Sequence, residues 1–203
     1  MEYFIKDEEE FNDFVFSNGI IEEQKARNVI FRDVVFKNIT FVDVELSGVE
    51  FINVQFENCD LYNINLDEAI IHGTKFSTCK LMGIYLTGNS MQTVVFNSCN
   101  CDYAIFGGST LKDTSFTDCK MSNSSFGLCK FNKVTFKECE LQRAEMADTK
   151  LKGIDFTTCS IDGMVIKLEN LRGVIVTPMQ ALELSKLLGI IVKDQEEDNN
   201  NDC

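Results

Sequence analysis

FRDVVFKNITFVDVELSGVEFINVQF, residues 31–56, puts an apolar residue at every fifth position: Phe31, Phe36, Phe41, Leu46, Phe51 and Phe56. The same beat continues without a slip to Leu171, 29 positions in all, and Phe11, Phe16, Ile21 and Ala26 extend it upstream. Two residues before each centre stands a second apolar or small residue, such as Val34, Ile39, Val44, Val49 and Val54. Two residues after it stands a turn former, such as Asp33, Asn38, Gly48 or Asn53. A helix has an apolar period of 3.6 and a half-buried strand one of 2, so a period of five fits neither. Two inward side chains, three outward residues and a turn make one side of a square, and four sides close a coil of 20 residues. Coils stacked by parallel strand hydrogen bonds at roughly 4.8 Å turn 29 pentapeptides into about seven coils and a rod of roughly 34 Å.

A longer period supports this reading. Phe16, Phe36, Phe56, Phe76, Phe96, Phe116, Phe136 and Phe156 step by 20, and so do Cys59, Cys79, Cys99, Cys119, Cys139 and Cys159. Zinc and iron–sulfur sites need cysteines a few residues apart. A fixed period of this length instead signals stacked repeats, so the thiols read as a packed, inert column, and Cys129 reads the same way. The predicted fold is all-β, a right-handed quadrilateral parallel β-helix with a short C-terminal α-helix. The expected parts are a cap and first coil over 1–28, the repeat body over 29–173, a dimerisation helix and strand over 174–192, and a disordered acidic tail over 193–203 that includes Cys203.

Composition narrows the function. With 19 basic and 32 acidic residues the formal net charge is -13. Such a chain, with scattered lysines, is expected not to bind nucleic acid directly. No apolar run is long enough to span a membrane. Nine cysteines behind an acidic start, MEYFIKDEEE, predict a reducing cytoplasm. One His and no Trp leave little material for acid–base or metal chemistry. His72 falls at an outward position, and the run Gly107-Gly108-Ser109-Thr110 lacks the Lys of a phosphate loop. Asn89 falls at an inward position and needs buried partners. No catalytic, cofactor or metal residues are expected, and no enzyme.

The repeat stops near Gly173. Thr177 is a good N-cap, Pro178 suits the first helical position, and MQALELSKLL (179–188) reads as a short helix that Gly189 ends. A helix this short needs to bury its apolar face. The candidate dimer interface is Met179, Ala181, Leu182, Leu184, Leu187, Leu188, Ile190 and Ile191.

VVFKN (34–38), CDLYN (59–63), TSFTD (114–118), SSFGL (124–128) and AEMAD (144–148) resemble the pentapeptide-repeat family. The ending, LRGVIV (171–176) followed by MQALELSKLLGIIV (179–192), is similar to that of the Qnr-type quinolone-resistance members, and the uninterrupted repeat looks like their loopless forms. The resemblance implies a homodimer joined through its C-terminal helices, about as thick as duplex DNA. It also implies a DNA-mimicking role toward DNA gyrase and topoisomerase IV that protects them from quinolones. A scaffold or toxin-immunity module with another protein partner is the alternative. Residues 1–70 carry a net charge of -11, residues 71–171 +1 and residues 172–203 -3. Sorted by side of the coil, one side displays Glu45, Asp67, Glu68, Glu145 and Asp148 against Lys167 and is the candidate partner-binding surface. The next displays Lys112, Lys130, Lys133, Lys150, Lys152, Arg32 and Arg172 against Asp33, Glu50 and Asp113.

Overall fold

The computed structural model describes residues 1–193. The chain winds into a four-walled parallel β-helix. The first wall is a seven-stranded parallel sheet built from Glu10–Asn12, Ile30–Arg32, Glu50–Ile52, Ile70–His72, Ser90–Gln92, Thr110–Lys112 and Lys130–Asn132. The second wall is its equal, from Val15–Glu22 and Val35–Val42 to Thr135–Lys137. Every pairing is offset by 20 residues: Phe31 faces Phe51, and Phe76 faces Phe96. The third and fourth walls carry single bridges at the same offset, such as Asp60 to Lys80 and Tyr85 to Ile105. Their strands are cut short because the corners that follow are closed by tight turns. Ala104 N–H bonds Cys101 O at 3.1 Å and Ser109 N–H bonds Phe106 O at 3.1 Å.

From Glu8 to Gly153 the residue two places after each centre has a left-handed backbone, as Asn18, Asn38, Asn58 and Gly48 show. Asn and Asp tolerate this region better than other side chains do, because the short polar group bonds locally. Here the amides also bond one another up the corner: Asn38 Nδ2 donates to Asn18 Oδ1 and Asn58 Nδ2 to Asn38 Oδ1, both at 2.8 Å. Thr78 and Thr93 occupy the same conformation despite their branched Cβ, which is strained.

The interior is filled. Successive rings from Phe16 to Phe136 stack 4.7–5.1 Å apart and within 11° of parallel. That offset stacking adds to the area buried. The thiol column lies beside it. Cys59 Sγ donates to Phe36 O at 3.3 Å and Cys99 Sγ to Phe76 O at 3.4 Å. The eight described cysteines are buried free thiols. Desolvation pushes Cys129 up to about 11. Contact with Cys119 raises Cys139, also to about 11.

The polar residues inside have a definite task. At the corner leading into the first wall, Asn89 Oδ1 accepts from Ala69 N–H at 2.9 Å, Ser109 Oγ from Asn89 N–H at 2.8 Å, and Thr149 Oγ1 from Cys129 N–H at 2.9 Å. Each side chain supplies an acceptor to an amide one coil below, which would otherwise be buried unpaired. Asn89 Nδ2 is left without a partner among the described residues. The Gly107–Thr110 run is thus ordinary wall and corner, with Ser109 buried and its hydroxyl on Leu86 O at 2.7 Å.

Regular winding begins upstream of residue 29, because Glu10–Asn12 and Val15–Glu22 already belong to the two sheets. Residues 1–8 lie across the lower end. Tyr3 N–H bonds Ile20 O at 3.0 Å, and Gln24 accepts from Ile5 N–H and donates to Tyr3 O, each at 2.7 Å. Gly19 is required there: a Cβ would stand 2.4 Å from Met1 O and 2.7 Å from the Tyr3 ring. At the upper end α1 (Pro178–Ser185) continues as a 3-10 turn over Lys186–Leu188 and stops at Gly189, φ 72°. Ile190–Val192, where a strand is expected after the helix, pairs with no strand among the described residues. The expected acidic tail, from Asp194 to Cys203, lies outside the described residues.

Candidate partner-binding surfaces

A filled rod offers function only its exterior and its ends, so charge and exposed apolar area locate the candidates. Among the described residues no cluster of His, Cys, Asp and Glu is arranged to hold a metal, and no helix is long and apolar enough to cross a membrane.

The five carboxylates singled out by sequence share the fourth wall but form no continuous stripe. Glu45, Asp67 and Glu68 sit in neighbouring coils; Glu145 and Asp148 lie four coils on, beyond a neutral stretch with Tyr85, Gly88, Ile105, Gly107, Gly108 and Leu128. Cations accompany both groups. Lys25 pairs with Glu45 at 2.9 Å, and Lys167 with Asp148 at 2.6 Å, which raises the Lys167 pKa. Lys25 and Arg27 also belong to this wall, because the coil begins earlier than the clear repeat does. The expectation that Lys167 stood alone against these acids is therefore corrected. Asp67 Oδ1 is engaged by Thr87 N–H at 2.7 Å and Glu145 by Ser125 Oγ at 3.2 Å.

The third wall is the more acidic one. It displays Glu22, Glu23, Asp43, Asp60, Asp102, Glu140 and Asp162 against Lys80, Lys120 and Arg143. Of these acids only Asp60 is ion-paired, to Lys80 at 3.1 Å, among the described residues. Tyr62 and Tyr103, both more than half exposed, stand on the same wall. Sorting charges by their offset from the centre on all four sides would have found it; the acids sit at three different offsets, so no single column announces them. The first wall, on the opposite side of the square, carries the basic residues.

The upper end is apolar and open. Met179, Leu182, Leu187, Leu188, Ile190 and Ile191 are exposed, Ile191 to 84%, and Ala181 is exposed beside them. Leu184 turns the other way and packs on the core, so it anchors the helix rather than facing outward. Gln180 completes the anchor. Its Nε2 donates to Phe156 O and Cys159 O, both at 2.8 Å, and its Oε1 accepts from Thr177 N–H at 2.8 Å. Thr177 Oγ1 in turn accepts from Gln180 N–H at 3.2 Å, a reciprocal cap. His72 is exposed on the first wall, away from any cluster.

Comparison with known proteins agrees with this architecture. A family model described as "Pentapeptide repeat region" matches residues 49–117 and 89–166, and one described as "Pentapeptide repeats (8 copies)" matches 30–66. A trypsin-treated form of QnrB1, a plasmid-mediated fluoroquinolone resistance protein, superposes with a TM-score of 0.50 at 18% identity, over 93% of this chain and 99% of that one. HetL, a pentapeptide repeat protein involved in heterocyst differentiation regulation from the cyanobacterium Nostoc sp. strain PCC 7120, gives 0.39 at 14% identity, over 84% and 86%. No curated protein matches by sequence. On the family match, which covers more than half its length, the chain belongs to the pentapeptide-repeat family.

Proposed function

We propose that this protein is a non-catalytic rod that binds DNA gyrase or topoisomerase IV by presenting an acidic, duplex-sized exterior, and so protects these enzymes from quinolones. The observation that carries the reading is the filled interior beside an acidic surface: the core of the described residues is packed with rings and thiols, so recognition falls to the walls. The third wall, with the fourth-wall residues Glu45, Asp67, Glu68, Glu145 and Asp148 at its flank, is the surface assigned to the partner. The likeness in fold to a fluoroquinolone resistance protein supports the choice of partner. We assign the open apolar end to a second copy of the chain, which gives a homodimer and buries Met179, Ala181, Leu182, Leu187, Leu188, Ile190 and Ile191. Such a protein works in the cytoplasm, beside its target.

The test is gyrase supercoiling across a titration of the protein, with and without ciprofloxacin. Relief of the drug-poisoned reaction, lost on reversing Glu22, Glu23 and Asp43 to Lys, supports the reading. Supercoiling and drug-induced cleavage both unchanged at micromolar protein refute it. The dimer is checked apart from this: Leu188→Asp with Ile191→Asp is expected to halve the mass seen by light scattering. A second reading, a scaffold or immunity module for another protein, draws on Tyr62 and Tyr103, since tyrosines exposed among charges are common anchors of protein interfaces. Affinity capture that returns an identified partner other than a topoisomerase, with binding lost in Tyr62→Ala and Tyr103→Ala, would establish it.

A further inference from the structure

The first wall changes sign along its length. Near its start it shows Glu10, Asp13, Asp33 and Glu50 against Arg32; from Leu111 onward it shows Lys112, Lys130, Lys133, Lys150, Lys152 and Arg172 against Asp113 and Glu169. All six cationic side chains are exposed. Lys133 reaches Asp113 at 3.5 Å. The other five make no ion pair among the described residues. In a chain of net charge -13, carboxylates are abundant, yet on this stretch six cations face only Asp113 and Glu169.

The 20-residue winding gathers these cations although the sequence scatters them. Lys130 and Lys150 stand one coil apart in one column, and Lys112, Lys152 and Arg172 share a second column two residues across. The patch covers four coils, roughly 14 Å along the rod and about 7 Å wide at ordinary strand spacings. Thr110, Asn132 and Asn170 lie between the charges as neutral hydrogen-bonding groups. No aromatic or aliphatic side chain is exposed within it: Leu111 and Leu151 are buried, and Phe131 and Leu171 are half-buried.

That composition selects the partner. A protein partner would want a central aromatic or aliphatic anchor, and a single strand would want rings on which to stack its bases. Neither is present. A duplex backbone needs only cations and hydrogen-bond donors on a surface that can lie along it. We propose that the basic half of the first wall binds the phosphate backbone of double-stranded nucleic acid without reading its sequence. The acidic half of the same wall repels a duplex laid further down, which confines the contact to the C-terminal coils. This surface stands opposite the third wall, so the inference is independent of the topoisomerase reading.

With about three phosphates neutralised, log affinity is expected to fall against log salt with a slope of about -3. The experiment is fluorescence anisotropy of the full chain with labelled duplexes of two unrelated sequences, from low salt to about 200 mM. Equal affinity for both sequences, that slope, and at least tenfold weaker binding in Lys130→Glu/Lys150→Glu/Lys152→Glu are the expected results. A variant of equal charge change elsewhere, Lys6→Glu/Lys37→Glu/Lys75→Glu, is expected to lose much less. The corresponding Gln triple provides the answer if the Glu triple melts early. No binding at low salt, or triple variants that bind like the parent, would overturn the proposal. Competition in which polyglutamate displaces the duplex at equal charge would overturn it too and reassign the patch to an acidic protein.

Discussion

Replacing Phe96 by Leu isolates what the ring column contributes. Phe96 is fully buried, stacked on Phe76 at 4.8 Å and Phe116 at 4.7 Å, with Phe106 edge-on at 6.1 Å. An aromatic pair adds about 0.5–1.5 kcal/mol beyond its area, so losing three pairs costs about 2–3 kcal/mol, because Leu refills most of the apolar volume. Phe156, at the upper end of the same column, has one ring neighbour, Phe136, tilted at 34° and 5.8 Å away. Its change to Leu removes one poor pair and costs about 1 kcal/mol. Urea unfolding followed by far-UV circular dichroism measures both, with the slope checked for each variant because a repeat array can split into separate transitions. Phe96→Leu is expected to be the worse by about 1–2 kcal/mol. If the two cost the same, the parallel stacking is incidental and the rings act only as bulk. Phe96→Ala, which also opens a cavity, should cost about 3–5 kcal/mol.

Three further expectations follow from named contacts. Gln180→Leu removes both bonds to the last coil and half of the cap, so α1 should exchange its amide hydrogens much faster while the coil amides stay protected; unchanged helix protection would show that Leu184 suffices. Thr93→Asn relieves a branched side chain held at φ 56° and should stabilise the fold by about 1 kcal/mol; no gain in urea midpoint would mean the corner tolerates branching. In a Cys203→Ser variant the remaining thiols, all buried, should stay unreactive to a thiol reagent until urea unfolds the chain, whereas rapid reaction of several in the native state would contradict a sealed column.

The winding could be read from spacing alone, because a square coil forces like residues to recur every 20 positions and Phe and Cys do so independently. The inward pair and the corner conformation followed from the same beat, and the C-terminal helix from its caps, Thr177, Pro178 and Gly189. The surface was harder. Charges escape the repeat, since any outward position accepts them, and which lysine meets which carboxylate depends on where the first coil starts. Lys25 illustrates this: it sits on the side centred on the small Ala26, upstream of the clear repeat, so sorting the charges from Leu46 onward passes it over. Leu184 shows a second limit. A helical stripe marks apolar residues, but not which of them faces the rod and which faces outward; that depends on how Gln180 pins the helix to Phe156 and Cys159.

The two glutamines at the extremities, Gln24 and Gln180, have a shared consequence. A parallel ladder has no natural last rung: each terminal coil displays the donors and acceptors that a further coil would satisfy. A primary amide carries both kinds of group, so one such side chain can close off a terminus, at Ile5 and Tyr3 below and at Phe156, Cys159 and Thr177 above. Fewer backbone groups are thereby left open at each end to fibre-like growth through pairing.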